Sequence, residues 1–189
     1  MPLAVPNPSE HCFAPVKGWE SVPVHFVPPD SIKVVSFVDH PAIASGGLRD
    51  DFLIVFSTKK SAIYGRFRGL LSTPPVPSLQ PEAISRLLLN RVIRRAGEFL
   101  EVFLHNQDRG FWREDMDCHF FYPLNMNGES RYPQQVQAIA DMLNSCSLPP
   151  DMHGYETEGN QCALVITRRG PDTDTMPVTL LDGVNVDEM

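Results

Sequence analysis

The sequence has few cysteines and no long apolar run. Its four cysteines lie far apart and without CxxC spacing: Cys12, Cys118, Cys146 and Cys162. We therefore expect no disulfide framework, and a reducing compartment fits this cysteine usage best. No segment approaches the roughly 20 apolar residues that span a bilayer, and no positive charges precede an apolar run at the start of the chain. We expect an intracellular, cytoplasmic protein that is neither secreted nor embedded in a membrane.

Recognisable catalytic motifs are also missing. The chain has no phosphate-binding GxxxxGK[ST] loop, no HExxH and no GxSxG. Two dipeptides, His11-Cys12 and Cys118-His119, come nearest to a set of metal ligands. Adjacent residues of a strand point to opposite faces, so a dipeptide does not easily offer both side chains to one ion. We expect no metal and no cofactor, which favours a protein without enzymatic activity.

What is present is the composition of a folded protein. Of the 189 residues, 42% are hydrophobic and 21% are charged, close to the averages of globular domains. A chain of this size buries about 70% of its unfolded surface, which is enough for a core. The 18 prolines are spread along the chain and predict many short connections. We predict an extended arm over residues 1–21, a single domain over 22–181 and an acidic, frayed tail over 182–189.

Apolar patterns predict about seven strands. The run Phe52–Phe56 is typical of a strand buried on both faces, and Ser61–Phe67 follows it as a hairpin partner. Residues 39–51 contain Pro41 and a Gly-Gly pair and are predicted to form a loop. The remaining strands are predicted at 22–27 and 32–38 (a hairpin or meander), 118–122, and 162–167 with 178–181 (a second pair). Residues 98–104 fit either a second helical piece or a strand, and we favour the strand.

Two helices are predicted. Pro81 suits a first helical turn, and an apolar residue recurs every four positions from Ile84 to Ala96, before Gly97 as a cap. A second apolar stripe runs from Val136 to Leu143 after Pro133. Helices and strands do not alternate strictly. The sequence therefore predicts an α+β fold: a single domain with one largely antiparallel sheet of about six to seven strands and two main helices.

Charge is distributed unevenly. The net charge is −7, yet residues 59–113 hold ten Lys or Arg and four acidic residues, a local +6 within a chain that is otherwise −13. The negative total argues against broad nucleic-acid binding. Charge balance within the fold is the plainer interpretation, and an exposed interaction surface is the alternative. The candidate basic patch consists of Arg66, Arg68, Arg91, Arg94 and Arg95.

Two short segments resemble the active site of arginine-specific ADP-ribosyltransferases. Phe56-Ser57-Thr58 is similar to that family's aromatic-x-Ser-Thr-Ser strand end, which braces the nicotinamide pocket, and Glu156-Thr157-Glu158 is similar to its Glu-x-Glu loop. The resemblance implies NAD as cofactor and Ser57, Glu156 and Glu158 as catalytic residues, with Glu158 stabilising the ribosyl cation. Lys59 replaces the third serine of the pattern, and Glu158 lies four residues before the predicted strand.

The order of elements from Phe52 to Tyr122 resembles the plast family, the RolB/RolC-type proteins that Agrobacterium transfer-DNA delivers into plant cells. The shared order is an apolar strand, the segment Gly69–Pro75, an amphipathic helix with a glycine near its end, and the aromatic run Phe120-Phe121-Tyr122. The resemblance covers about seventy residues of pattern. It implies action inside plant cells on growth and hormone response, and a fold like that of ADP-ribosylating toxins. No functional residue carries over.

Three functions follow as hypotheses. The first is a non-enzymatic interaction or regulatory protein, in its plast-like version a modulator of plant cell growth, acting through protein partners. The second is an ADP-ribosyltransferase-like enzyme that uses NAD. The third is a structural component of a virus or another assembly, which the many prolines and strands permit.

Overall fold

A computed structural model of the protein describes residues 24–69, 80–107, 115–156, 162–167 and 175–188. These ranges contain ten strands, two α-helices and a terminal 3-10 turn. In chain order they are β1 (Val24–Phe26), β2 (Ser31–Ser36), β3 (Ala42–Leu48), β4 (Asp51–Ser57), β5 (Ser61–Arg68), α1 (Pro81–His105), β6 (Asp117–Leu124), α2 (Pro133–Ser145), β7 (Asp151–Glu156), β8 (Cys162–Thr167), β9 (Val178–Leu181), β10 (Val184–Asn185) and the 3-10 turn Val186–Glu188.

The strands form two sheets of five. The first sheet has the order β1-β3-β8-β9-β10 and the second has the order β2-β5-β4-β6-β7. Each sheet is mixed, because β1 pairs with β3 in parallel and β6 pairs with β7 in parallel. The α+β class with two helices is confirmed for the described residues. The prediction of one largely antiparallel sheet of six to seven strands is wrong.

Three of the described strands were not predicted, and two of them, β3 and β7, account for much of that difference. Residues 42–48 were predicted to lie in a loop because of their glycines, but they form β3, paired with β8 and interrupted by an irregularity between Ser45 and Leu48. That irregularity accommodates Gly46 and Gly47. The second unpredicted strand is β7 at Asp151–Glu156, a polar segment whose strand conformation is fixed by its pairing with β6.

Long-range pairing also separates the first two strands. The predicted hairpin or meander pairing of β1 with β2 does not form, since β1 pairs with β3 of the first sheet and β2 pairs with β5 of the second. The other two predicted pairs, β4 with β5 and β8 with β9, are confirmed as antiparallel neighbours.

The centre of the second sheet is buried on both faces. Alternate residues of β4 divide between two apolar clusters: Leu53 and Val55 pack against the first sheet, and Phe52, Ile54 and Phe56 pack against the helices. The continuous apolar run of β4 predicted a strand buried on both faces. The structure confirms this, because every residue of β4 is buried. The described elements therefore stack in three layers: first sheet, second sheet, helices.

Helix α1 is longer than predicted. Gly97 does not end it, and residues 98–104, predicted to form a strand, continue the helix to His105. The reason is that Phe99 and Phe103 extend the buried stripe begun by Val92 and Ala96, and both aromatic rings pack edge-on against Phe56. Helix α2 follows the prediction, with Pro133 in its first turn.

The C-terminal segment is ordered by the first sheet. Residues 182–188 were expected to fray, yet β10 pairs with β9 and Val186 is only 4% exposed. The N-terminal arm predicted over 1–21 lies outside the described residues. Neither α1 nor α2 is both long enough and apolar enough to span a membrane.

Candidate functional site

The residues predicted for ADP-ribosyl transfer do not meet. Ser57 ends β4 opposite Asp117 at the start of β6, whereas Glu156 ends β7 opposite Leu124 at the end of β6. The length of β6, roughly 23 Å at about 3.3 Å per residue, separates the two positions. Ser57 is also fully buried. Glu158 lies outside the described residues, so the structure assembles no such site from the part of the pattern it describes.

Arg66, predicted as part of the basic patch, lies in the core. It is 3% exposed, and its guanidinium pairs with the carboxylate of Asp51 at 2.8 Å between the two sheets. Its two Nη atoms also donate to the carbonyl oxygens of Gly46 and Gly47, at 3.1 and 3.3 Å, where β3 is irregular. This arginine therefore binds the two sheets together and presents no charge to a partner.

Of the other four arginines, Arg91, Arg94 and Arg95 place their side chains near acidic residues, and Arg68 contacts Asp30 through its backbone. The Asp30 carboxylate accepts hydrogen bonds from the Arg68 backbone N–H at 3.1 Å and the Arg91 guanidinium at 2.9 Å, and its carbonyl accepts one from Arg95 at 2.6 Å. Arg95 also bonds Glu98, and the 72% exposed Arg94 lies 3.8 Å from the same carboxylate. Charge balance within the fold accounts for much of this surface.

A more distinctive feature lies at the opposite edge of the two sheets. A cleft of about 560 Å³ opens where β7, the edge strand of the second sheet, approaches the 3-10 turn that follows β10. We call it the edge cleft, and its lining is Asp151, Met152, His153, Gly154, Val186 and Asp187. Val186 is buried in the core between the sheets, so it fixes the turn that carries Asp187.

Two histidines form a hydrogen-bonded pair beside this cleft. His119 of β6 is 3% exposed, and its Nδ1 lies 3.1 Å from Nε2 of the half-buried His153 of β7. Parallel pairing sets His119 beside Asp151 and Phe121 beside His153, which puts all four side chains on the face towards the first sheet. The His153 ring stacks on Phe121 with a centroid distance of 4.8 Å.

Two carboxylates act on the pair, Asp151 of β7 and Asp187 of the 3-10 turn, and Asp117 of β6 interacts electrostatically with both of them. We call these five residues the acid–histidine cluster. Burial lowers the pKa of His119 although Asp187 and Asp151 act to raise it. Burial, and then the neighbouring His119, lowers the pKa of His153. Burial raises the pKa of Asp117, and the charges of Asp187 and Asp151 add to that rise.

At neutral pH the cluster is therefore acidic and its histidines are neutral. The thiol of Cys118 lies on the other face of β6, where its sulfur is 3.8 Å from the Leu148 carbonyl oxygen. Burial raises the pKa of Cys118, as it does that of Cys162, so both thiols stay protonated. Within the described ranges, no group of three or more His, Cys, Asp or Glu is placed to hold a metal ion.

Sequence reasoning missed this cluster because its members come from three separate segments. One local signal was present: Asp117, His119 and Phe121 alternate along an aromatic strand, which places polar groups on one of its two faces. That signal did not reveal which strand would lie beside them. The partner strand, β7, was not predicted.

Comparisons with known proteins leave the family open. The chain matches no protein-family model, and no curated protein matches it at a significant level.

Proposed function

We propose that this protein is a non-enzymatic interaction protein that binds an extended segment of a protein partner along the edge strand β7. One observation carries the proposal: β7 is a six-residue edge strand that borders the acidic edge cleft. An extended peptide that adds to such an edge gains main-chain hydrogen bonds, while pockets beside the strand select its side chains.

The edge of β7 is less protected than the other sheet edges. Proteins commonly shield an edge by making the strand short or by placing a charge within it. Strands β1 and β10 have only three and two residues, and β2 carries Lys33 near its middle. In β7 the charges of Asp151 and Glu156 stand at the two ends, and no described strand pairs with its outer side.

The charge of the edge cleft and the exposed apolar surface of β7 indicate which kind of peptide segment would bind. The edge cleft contains the carboxylates of Asp151 and Asp187 and no Lys or Arg among its lining residues. Met152, 41% exposed, adds an apolar contact. The complementary ligand is an extended segment in which Lys or Arg alternates with apolar residues, because basic groups are attracted to the cleft and apolar ones cover the methionine.

Binding is favoured over catalysis by the state of the nucleophiles. The buried thiols of Cys118 and Cys162 are protonated, and Ser57 is fully buried. A nucleophile needs both activation and access to substrate. Neither these two thiols nor Ser57 meets both conditions.

The test is a peptide-binding measurement with matched variants. A library of extended peptides with varied Lys, Arg and apolar content is screened against the protein, and affinities are measured by fluorescence anisotropy. Met152→Lys adds a cation to the edge, so we expect it to weaken the selected peptides about tenfold, or about 1.4 kcal/mol. Met126→Lys is the control, because Met126 is 79% exposed on a turn away from the cleft.

Equal affinity for the two lysine variants, or selection of acidic peptides, would contradict the proposal. Solution mass measurement accompanies the screen, since an exposed edge also pairs with a second copy of the same chain. If the protein forms a dimer that Met152→Lys dissociates and Met126→Lys leaves intact, the segment bound along β7 is the β7 strand of a second copy. That result would favour a structural assembly.

The plast-like version adds that the partner belongs to a plant cell and that binding alters growth or hormone response. It is supported by the order of a buried apolar strand, an amphipathic helix and an aromatic strand, here β4, α1 and β6. Expression in plant tissue tests it. Wild type is expected to change growth where Met152→Lys does not, and intact wild-type protein without a phenotype would refute this version.

A further inference from the structure

The His119–His153 pair joins the edge strand to the strand that supports it. His119 is buried on β6, and His153 lies on β7, so the 3.1 Å hydrogen bond between Nδ1 and Nε2 crosses from the inner strand to the edge. The ring centroids are 5.2 Å apart. A change in this bond therefore acts directly on the strand that borders the edge cleft.

Proton counting shows when the bond persists. The neutral pair shares one N–H, which one ring donates to the bare nitrogen of the other. The first added proton goes to an outer nitrogen and leaves that bond intact. A second added proton places N–H on both facing nitrogens, which removes the acceptor and sets two cations side by side. The pair therefore titrates as a unit in two steps.

The groups around the pair make its first protonation easier and its second protonation harder. The carboxylates that act on the pair are Asp151 from β7 and Asp187 from the 3-10 turn, while Asp117 of β6 interacts with those two carboxylates. The Asp151 and Asp187 carboxylates favour the first proton, whereas burial of His119 and repulsion between the rings oppose the second.

We infer that the His119–His153 pair is a proton-operated latch on β7, closed when the pair holds at most one added proton and open when it holds two. Opening loosens β7 from β6 and adds positive charge to the edge cleft. If the proposed function is correct, a basic partner segment bound at neutral pH is released under acidic conditions.

The latch is tested without any partner. NMR titration from pH 7.5 to 4.5 follows the imidazoles, and hydrogen exchange follows the backbone amides, expressed as protection factors so that the intrinsic effect of pH is removed. We expect two coupled titration steps below pH 6.5. The protection of β7 amides should fall at least tenfold across the second step, while that of β5 amides changes less than twofold.

His153→Gln should remove the pH dependence of β7 protection, and His105→Gln, at an exposed position at the end of α1, should leave it unchanged. Independent titration of both rings near pH 6.5 would overturn the inference. So would loss of β5 and β7 protection together, because that pattern reports global unfolding. The wild-type measurement decides the question even if His153→Gln fails to fold.

Failure of the latch and failure of the proposed function are separable. A selected peptide should bind wild type at least tenfold more weakly at pH 5.0 than at pH 7.5, and His153→Gln less than twofold more weakly. If no peptide binds at any pH, the exchange experiment still accepts or rejects the latch. If peptides bind with no pH dependence, the docking proposal stands and release by protonation is rejected.

Discussion

Replacing Asp51 with asparagine removes the carboxylate that neutralises Arg66 in the core. Both side chains are nearly inaccessible, at 6% and 4% exposure, and their charged groups are 2.8 Å apart. The substitution keeps the size of the side chain and leaves the guanidinium buried without its counter-ion. Removing one partner of such a pair costs about 3–5 kcal/mol, because the remaining charge is desolvated and uncompensated.

The backbone contacts of Asp51 should survive the change. Its N–H donates to the Tyr155 hydroxyl at 3.1 Å, and its carbonyl oxygen accepts the same hydroxyl's hydrogen at 2.5 Å. Arg66 also keeps the two glycine carbonyls that it bonds in β3. The loss is therefore electrostatic, and the expected decrease in unfolding free energy corresponds to a fall in Tm of roughly 6–20 °C for a chain of this size.

Thermal and urea unfolding followed by circular dichroism measure the effect. The matched control is Asp50→Asn, which breaks the exposed pair of Asp50 with Arg131 and should cost no more than about 1 kcal/mol. A double-mutant cycle with Asp51→Leu and Arg66→Met should give a double variant less destabilised than the sum of the single changes. Equal losses for Asp51→Asn and Asp50→Asn would refute the assignment of Arg66 to a buried ion pair.

Two further predictions concern glycine and pH. Gly97→Ala should raise the free energy of unfolding by about 0.5–1 kcal/mol, because Gly97 lies inside α1 and an added Cβ meets nothing within 4 Å. Gly65→Ala should lower the free energy of unfolding by about 1–3 kcal/mol, since its Cβ would lie 2.5 Å from Phe67. Urea unfolding should therefore show a gain in stability for Gly97→Ala and a loss for Gly65→Ala. Stability should also fall as pH drops below 6.5, because the unfolded chain then binds more protons at the three histidines with lowered pKa, His25, His119 and His153. Urea midpoints that do not change between pH 7.5 and 5.5 would contradict this expectation.

Strands and helices could be predicted where the pattern of one segment reports its own burial. Phe52–Phe56 is apolar at every position because the second sheet is covered on both faces. The repeat of helix α2 matches its single buried stripe. Gly97 misled the prediction for α1, because the packing of Phe99 and Phe103 outweighs the small cost of one glycine within a helix.

The sequence by itself determined the α+β class, the antiparallel pairs β4–β5 and β8–β9, and the uneven distribution of charge. Tertiary structure decided how the strands divide between two sheets and which arginine enters the core, because both depend on contacts with residues distant in the chain. It also decided the acid–histidine cluster, whose residues span 117 to 187 and meet only through β6–β7 pairing and the anchoring of Val186. No local pattern encodes that meeting, since a strand's own periodicity specifies its faces and leaves its neighbour undetermined.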